Sequence, residues 1–247
     1  MSTQPLPPVR SQHLDGVTTI TIERPQRRNA LNLEALELLD ATIRQAVDGG
    51  ARAIVLTGAD GHFCAGADLC ELEDVSFTER LAEVLAHLAG LPVVTVAAIS
   101  GACMGLGMQL ALACDVRVAT DDARFAIPVA RLGLMVDHWT IERAVRFFGE
   151  GAVRVMVLCG EVLTAEDGWR LGFVQRRGGL EVAQELAAHA TALAPLTQAG
   201  SKLGLDLPPG SDLRAYEEAF HQAWASEDLA EGQAAFRERR PARFQGR

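Results

Sequence analysis

Apolar positions along the chain recur with two spacings, and the switching between them predicts the architecture. Residues 17–23 alternate β-branched and apolar side chains and predict a strand. Residues 33–47 carry Leu36, Leu39, Ile43 and Val47 on one helical face, and Gly49-Gly50 end that helix. Residues 52–56 read as a second strand. Residues 76–89 read as a helix with a capping box, Ser76 followed three positions later by Glu79, and Gly90 stops it. A strand over 93–98, a helix over 107–113 and a strand over 116–119 follow. Such alternation predicts an α/β layer with parallel strand pairing.

The second half reads as more helical. Residues 137–148 and 151–158 predict helices, and Thr164 with Asp167 caps a short helix that stops at Gly172. Another helix is predicted over 180–193. After a loop at 205–210 comes an amphipathic helix bearing Leu213, Tyr216, Phe220 and Trp224. That stripe is expected to pack on the main body or on a neighbouring subunit. Residues 91–114 contain no Asp, Glu, Lys or Arg, which is the length of a membrane span. Pro92, Thr95, Ser100, Gln109 and three glycines break the stretch, so it is read as a buried strand, a turn and a buried helix.

Composition narrows the possibilities. With 247 residues, 49% hydrophobic and 22% charged, the chain suits one large domain or a domain with a small appendage. A net charge of −9 argues against a general nucleic-acid or anionic-membrane surface. The five cysteines are odd in number and lack metal-ligand spacing, so buried free thiols in a reducing cytoplasm are expected. Residues 1–10 are polar and proline-rich, with no apolar core of a signal peptide.

Two glycine-rich segments carry the candidate chemistry: Phe63-Cys64-Ala65-Gly66-Ala67-Asp68, and the turn Ser100-Gly101 running through Gly105-Leu106-Gly107 to Gln109. Backbone amides at strand-to-helix turns point outward and bind negative charge. Arg24-Pro25 through Asn29-Ala30-Leu31-Asn32, Asp115 through Ala119, and Thr164-Ala165 through Gly172-Phe173-Val174 add three more ordered motifs. With these five in register, nearly the whole chain resembles the crotonase (enoyl-CoA hydratase/isomerase) superfamily, and in particular an actinobacterial subgroup lacking both hydratase glutamates. The resemblance implies a ββα spiral over residues 1–193, then a helical segment over 194–247 that drives assembly into a homotrimer or hexamer. It implies an acyl-CoA thioester as ligand, with no cofactor beyond its coenzyme A. It also implies an oxyanion hole made by the amides of Ala65 and Leu106.

At the positions of the two hydratase glutamates this chain has Gln109 and, after Pro128, Val129. Neither side chain can exchange a proton with water at neutral pH. An acyl-CoA-binding family member without hydratase activity is therefore expected. The alternative is an isomerase, or another enolate-forming enzyme, with Asp137 as base. The reading preferred for Asp137 is the N-cap of its helix. Gln109 reads either as a site amide or as a satisfied buried polar residue. Asp68 is expected in a helix's first turn, where it would complement the dipole. Arg24, Arg27 and Arg28 are candidates for the coenzyme's nucleotide end, against a plain solvated basic edge. Ala30, Leu31, Ala67, Val129 and Trp139 complete the implied acyl-CoA contacts.

Overall fold

The computed structural model describes residues 7–70, 76–208 and 210–247. Its strands are β1 (Val9–Leu14), β2 (Val17–Ile22), β3 (Ala53–Gly58), β4 (Val94–Ile99), β5 (Ala102–Met104), β6 (Val116–Ala119), β7 (Arg124–Ala126), β8 (Leu163–Thr164) and β9 (Arg176–Arg177). The helices are α1 (Leu33–Asp48), α2 (Ser76–Ala89), α3 (Leu106–Ala113), α4 (His138–Phe148), α5 (Glu150–Leu158), α6 (Ala165–Arg170), α7 (Leu180–Thr191), α8 (Pro195–Asp206), α9 (Arg214–Trp224) and α10 (Glu227–Glu238).

Six strands form one sheet in the order β1-β2-β3-β4-β6-β9, and β5-β7-β8 form a second, smaller one. β1 pairs antiparallel with β2; from β2 to β9 every pairing in the large sheet is parallel. Successive units run from the large sheet to the small sheet and on to a helix: β4-β5-α3, then β6-β7-α4. This is the expected ββα spiral. All six residues of β2 are buried because helices cover both faces. Ile20 and Ile22 join the core under α1 and α2, while Val17 packs with Ala183 and Ala187 of α7 on the opposite face.

α3 is buried at all eight positions. Its C-terminal carbonyls are held by two arginines. Arg117, 1% exposed, donates to Cys114 O (2.8 Å) and Phe173 O (2.7 Å), and its guanidinium lies 4.1 Å from the Phe147 ring centroid. Arg143 donates to Leu112 O (2.7 Å). Burial lowers Arg117 to about 10, so it stays charged at neutral pH, at the helix end that favours cations. A charge-free segment thus forms a strand, a short strand and a buried helix. Among the described residues no helix is long and apolar enough to cross a membrane.

Several elements escaped the hydrophobic pattern. β1 buries only Val9, so five polar or exposed side chains hide its period. α8 opens with Pro195 and carries Gly200 and Gly204 against Ala219 and Tyr216, a close helix–helix contact that small residues permit. α10 buries only Asp228 and Ala235 and so shows no apolar stripe. The stripe on α9 is present, yet no α9 residue is buried within the chain: Phe220 and Trp224 are 48% and 63% exposed. Ion pairs fasten the helical end to the body, with Lys202 of α8 on Asp115 (2.8 Å) and on Val93 O, and Arg143 on Asp206 (2.9 Å). Lys202 is therefore a structural tie.

Candidate functional site

The two glycine-rich segments come together as a zipped pair of turns. Phe63 N donates to Ser100 O (2.8 Å), Cys64 N to Ala102 O (2.9 Å) and Met104 N to Cys64 O (2.9 Å). The glycines let the backbones approach. A Cβ on Gly107 would stand 2.2 Å from Cys64 O, and one on Gly101, at φ +49°, would stand 2.3 Å from Gly61 O. His62, a residue the sequence did not single out, accepts the Ala102 amide on Nδ1 (3.1 Å) and braces the same junction.

Of the two amides expected to form the hole, only one is available. Ala65 N donates to Arg28 O at 3.0 Å, so it is committed to the loop that precedes α1. The next outward amide is Ala67 N. Leu31 takes both bridge bonds from the flanking residues, donating to Gly66 O (2.9 Å) and accepting from Asp68 N (2.8 Å). The Ala67 amide therefore points away from Leu31 and has no acceptor among the described residues. Leu106 N, first residue of α3 after Gly105 at φ +50°, is likewise without an acceptor. A Cβ on Gly66 would lie 3.9 Å from Leu106 N, so the Ala67 turn sits directly against the α3 N-terminus. The correction is one of register: a turn alternates inward and outward amides, and the segment's sequence does not say which residue pairs with Leu31.

Residues 24–31 wrap this junction. Asn29, fully buried in the left-handed region (φ +60°), donates to Ala59 O and His62 O and accepts from Arg24 N, tying three loops together. Ala30 and Leu31 are buried beneath the turn. Asp68 is 5% exposed and lies in a turn outside any helix, so the expected dipole role is replaced by ion pairing, with Arg24 at 3.2 Å and Arg27 at 3.9 Å. Arg24 also donates to Ala30 O and is largely buried, a structural position. Arg27 and Arg28 face outward.

Two further predicted residues, Gln109 and Asp137, are joined between α3 and α4 through Thr140. Gln109, 7% exposed, donates through Nε2 to the hydroxyl of fully buried Thr140 (2.8 Å). That hydroxyl donates in turn to Asp137, whose Oδ1 also accepts the Thr140 amide (3.1 Å). Asp137 is thus the N-cap of α4, and Gln109 is a satisfied buried amide that ties the two helices. Sequence reasoning missed Thr140; its place three residues after the cap was the available signal. Val129 opens a 3-10 turn, Val129–Arg131, against the core, and half-buried Trp139 lies under the Arg143 guanidinium (5.3 Å). The loop between them exposes Leu132, Leu134 and Met135. Cys64, Cys103 and Cys114 are buried, whereas Cys70 and Cys159 are exposed. Burial pushes the Cys64 thiol up to about 12, so beside the turns it is a neutral packing group.

Comparison with known proteins bears on the family and the fold. The enoyl-CoA hydratase/isomerase family profile matches residues 12–247. A Mycobacterium tuberculosis protein named "Probable enoyl-CoA hydratase echA6" is 43% identical over 235 residues, covering 94% of this chain and 97% of the relative. The mouse mitochondrial enoyl-CoA hydratase domain-containing protein 2 is 32% identical, covering 94% of this chain and 85% of its own. The crystal structure of an enoyl-CoA hydratase from Bacillus anthracis superposes with a TM-score of 0.88 at 26% identity, covering 98% and 100% of the two chains. Five ordered motifs, a ββα spiral and these matches lead to one assignment: the chain belongs to the enoyl-CoA hydratase/isomerase family.

Proposed function

We propose that this protein binds acyl-CoA thioesters, holding the thioester carbonyl between the amides of Ala67 and Leu106, and that it does not hydrate enoyl-CoA. One observation carries the reading: two adjacent backbone amides stand without acceptors among the described residues while both expected acid–base positions are disarmed. Hydration needs a group that takes a proton from water and one that protonates carbon. Gln109 is committed to Thr140, and Val129 has no proton to exchange. A positioned acid or base contributes about 10²–10⁴-fold, so losing both removes useful turnover. The buried helix α3 aims its positive end at the carbonyl, and Arg117 and Arg143 occupy its negative end. Outward-facing Arg27 and Arg28 are available to the anionic coenzyme, and Trp139, Val129 and Leu134 offer apolar surface to an acyl chain. The bare stripe of α9 supports burial against other copies of the chain, as a trimer or hexamer built through residues 194–247.

Calorimetry with acyl-CoAs of four to eighteen carbons is the test, together with loss of enoyl absorbance from crotonyl-CoA. Saturable binding without turnover is expected, with about 0.8 kcal/mol gained per buried methylene where the pocket has room. Absence of binding at every chain length, or turnover on the order of 10 s⁻¹, overturns the reading. The rival, enolate chemistry with Asp137 as base, is separated by solvent deuterium exchange at the acyl α-carbon. Protein-dependent exchange that disappears in Asp137→Asn, a variant that keeps a good cap, makes the protein an enzyme.

A further inference from the structure

On the sheet face covered by α7, a cavity of about 230 Å³ opens at the carboxyl ends of β2, β3, β4 and β6. This is where open parallel sheets place ligands. Thr21, Ser100, Arg10 and the first residues of α7, Gly179 and Leu180, contribute to its wall. Two of the nearby hydroxyls are already committed, Thr57 to Ala98 O (3.0 Å) and Thr120 to the Asp122 carboxylate.

Thr21 differs from both. It is 6% exposed, and its hydroxyl has no hydrogen-bond partner among the described residues. No buried side-chain nitrogen or oxygen among those residues is sealed in without a partner, so the Thr21 hydroxyl opens onto the cavity. Above it, α7 begins at Leu180 with Gly179 as a cap that supplies no side chain. The first α7 amide with an acceptor is Ala183 N, on Gly179 O (3.3 Å); those of Leu180, Glu181 and Val182 have none among the described residues. The helix's own Glu181 leans toward this end, its Oε2 standing 3.2 Å from where a Cβ on Gly179 would lie. Arg10, paired with Glu23, stands at the rim.

We infer that this cavity is a binding site for a small oxyanion, a phosphate or carboxylate group of a small metabolite. The free α7 amides and the Thr21 hydroxyl donate to it, Arg10 supplies charge at the rim, and Glu181 swings away. The amides and the positive helix end select negative charge. An unpartnered hydroxyl, nine-tenths buried, selects an acceptor. The site does not rest on the thioester reading: of its wall only Ser100 belongs to the glycine-rich segments, and neither Ala67 nor Leu106 lines it.

The test is amide NMR on the full-length protein, titrated separately with inorganic phosphate and with acetate at constant ionic strength, and with chloride as control. Expected are saturable shifts of Leu180, Glu181 and Thr21 at millimolar concentrations of one oxyanion, the scale of a few net hydrogen bonds. The better of the two anions identifies the group. Thr21→Val, which keeps the β-branched shape, should weaken binding about fivefold, one hydrogen bond's worth. Glu181→Gln, on the exposed helix surface, should tighten it by removing the competing carboxylate. The proposal is overturned if neither anion gives saturable shifts there below about 100 mM, or if chloride reproduces them. It is equally overturned if both variants titrate like the wild type.

Discussion

Gln109 is a structural tie, and Thr140→Val tests that directly. Valine keeps the shape of Thr140 and removes only the hydroxyl that links Gln109 to Asp137. The neutral bond from Gln109 is worth about 1 kcal/mol net, and the bond to the exposed Asp137 carboxylate lies near the low end of about 1.5–3 kcal/mol. Because Gln109 is 7% exposed and Thr140 fully buried, the stranded amide adds a desolvation penalty of about 1–3 kcal/mol. Water reaching Asp137 and the gained methyl group offset part of this. The expected loss is about 2–4 kcal/mol, or roughly 4–16 °C in Tm for a chain of this size. Thermal melts belong at one fixed protein concentration, since assembly would shift Tm by mass action. A second comparison isolates the pair: in a Gln109→Met background the amide is already gone, so Thr140→Val should be milder by at least about 1 kcal/mol. A Tm change within error, or strict additivity of the two substitutions, refutes the tie and returns Gln109 to the list of free site amides.

Other outcomes follow from the same geometry. Gly107→Ala places a Cβ 2.2 Å from Cys64 O, a backbone atom that cannot swing away. It should destabilise by about 1–3 kcal/mol or more in denaturant titrations, and weaken acyl-CoA binding by displacing the Leu106 amide. Burial pushes the Asp40 carboxyl up, but hydrogen bonds from Arg80 and His87, with the Arg44 charge, outweigh it and hold Asp40 below the usual carboxylate range. A carboxyl depressed in the folded state stabilises above its unfolded pKa of about 3.9, and that stability disappears as pH falls through the folded value. Asp40→Asn should therefore melt below wild type at pH 7, with the gap narrowing on acidification; a constant gap contradicts the ion-pair account. Trp139→Ala should weaken long-chain acyl-CoA more than short-chain in calorimetry; an equal loss at every chain length would place Trp139 outside the acyl path.

The family, the order of the main strands and helices, and the presence of Gln109 and Val129 in the motif segments were legible in the sequence. Each of these is a local statement: periodicity, glycine turns and the identity of a side chain at a motif position survive without coordinates. The sequence also supplied the cap at Asp137, because capping is settled within four residues. Tertiary structure decided what depends on partners distant in sequence. Ala65 and Ala67 are indistinguishable in the motif, and only the Arg28 carbonyl on one side and the Leu31 bridge on the other show which amide is free. Asp68 looked like a helix-start acid until Arg24, 44 positions away, came within 3.2 Å. Gln109 was ambiguous until the hydroxyl of Thr140, 31 positions on, accepted its hydrogen bond. The same holds for the cavity under α7, where the Thr21 hydroxyl, without a partner among the described residues, is hidden in an ordinary strand pattern and gains meaning only where α7 begins above it. A hydrogen bond consumes a donor whichever chain segment supplies the acceptor. Availability of a group is therefore a property of the folded packing and cannot be read from the motif that contains it.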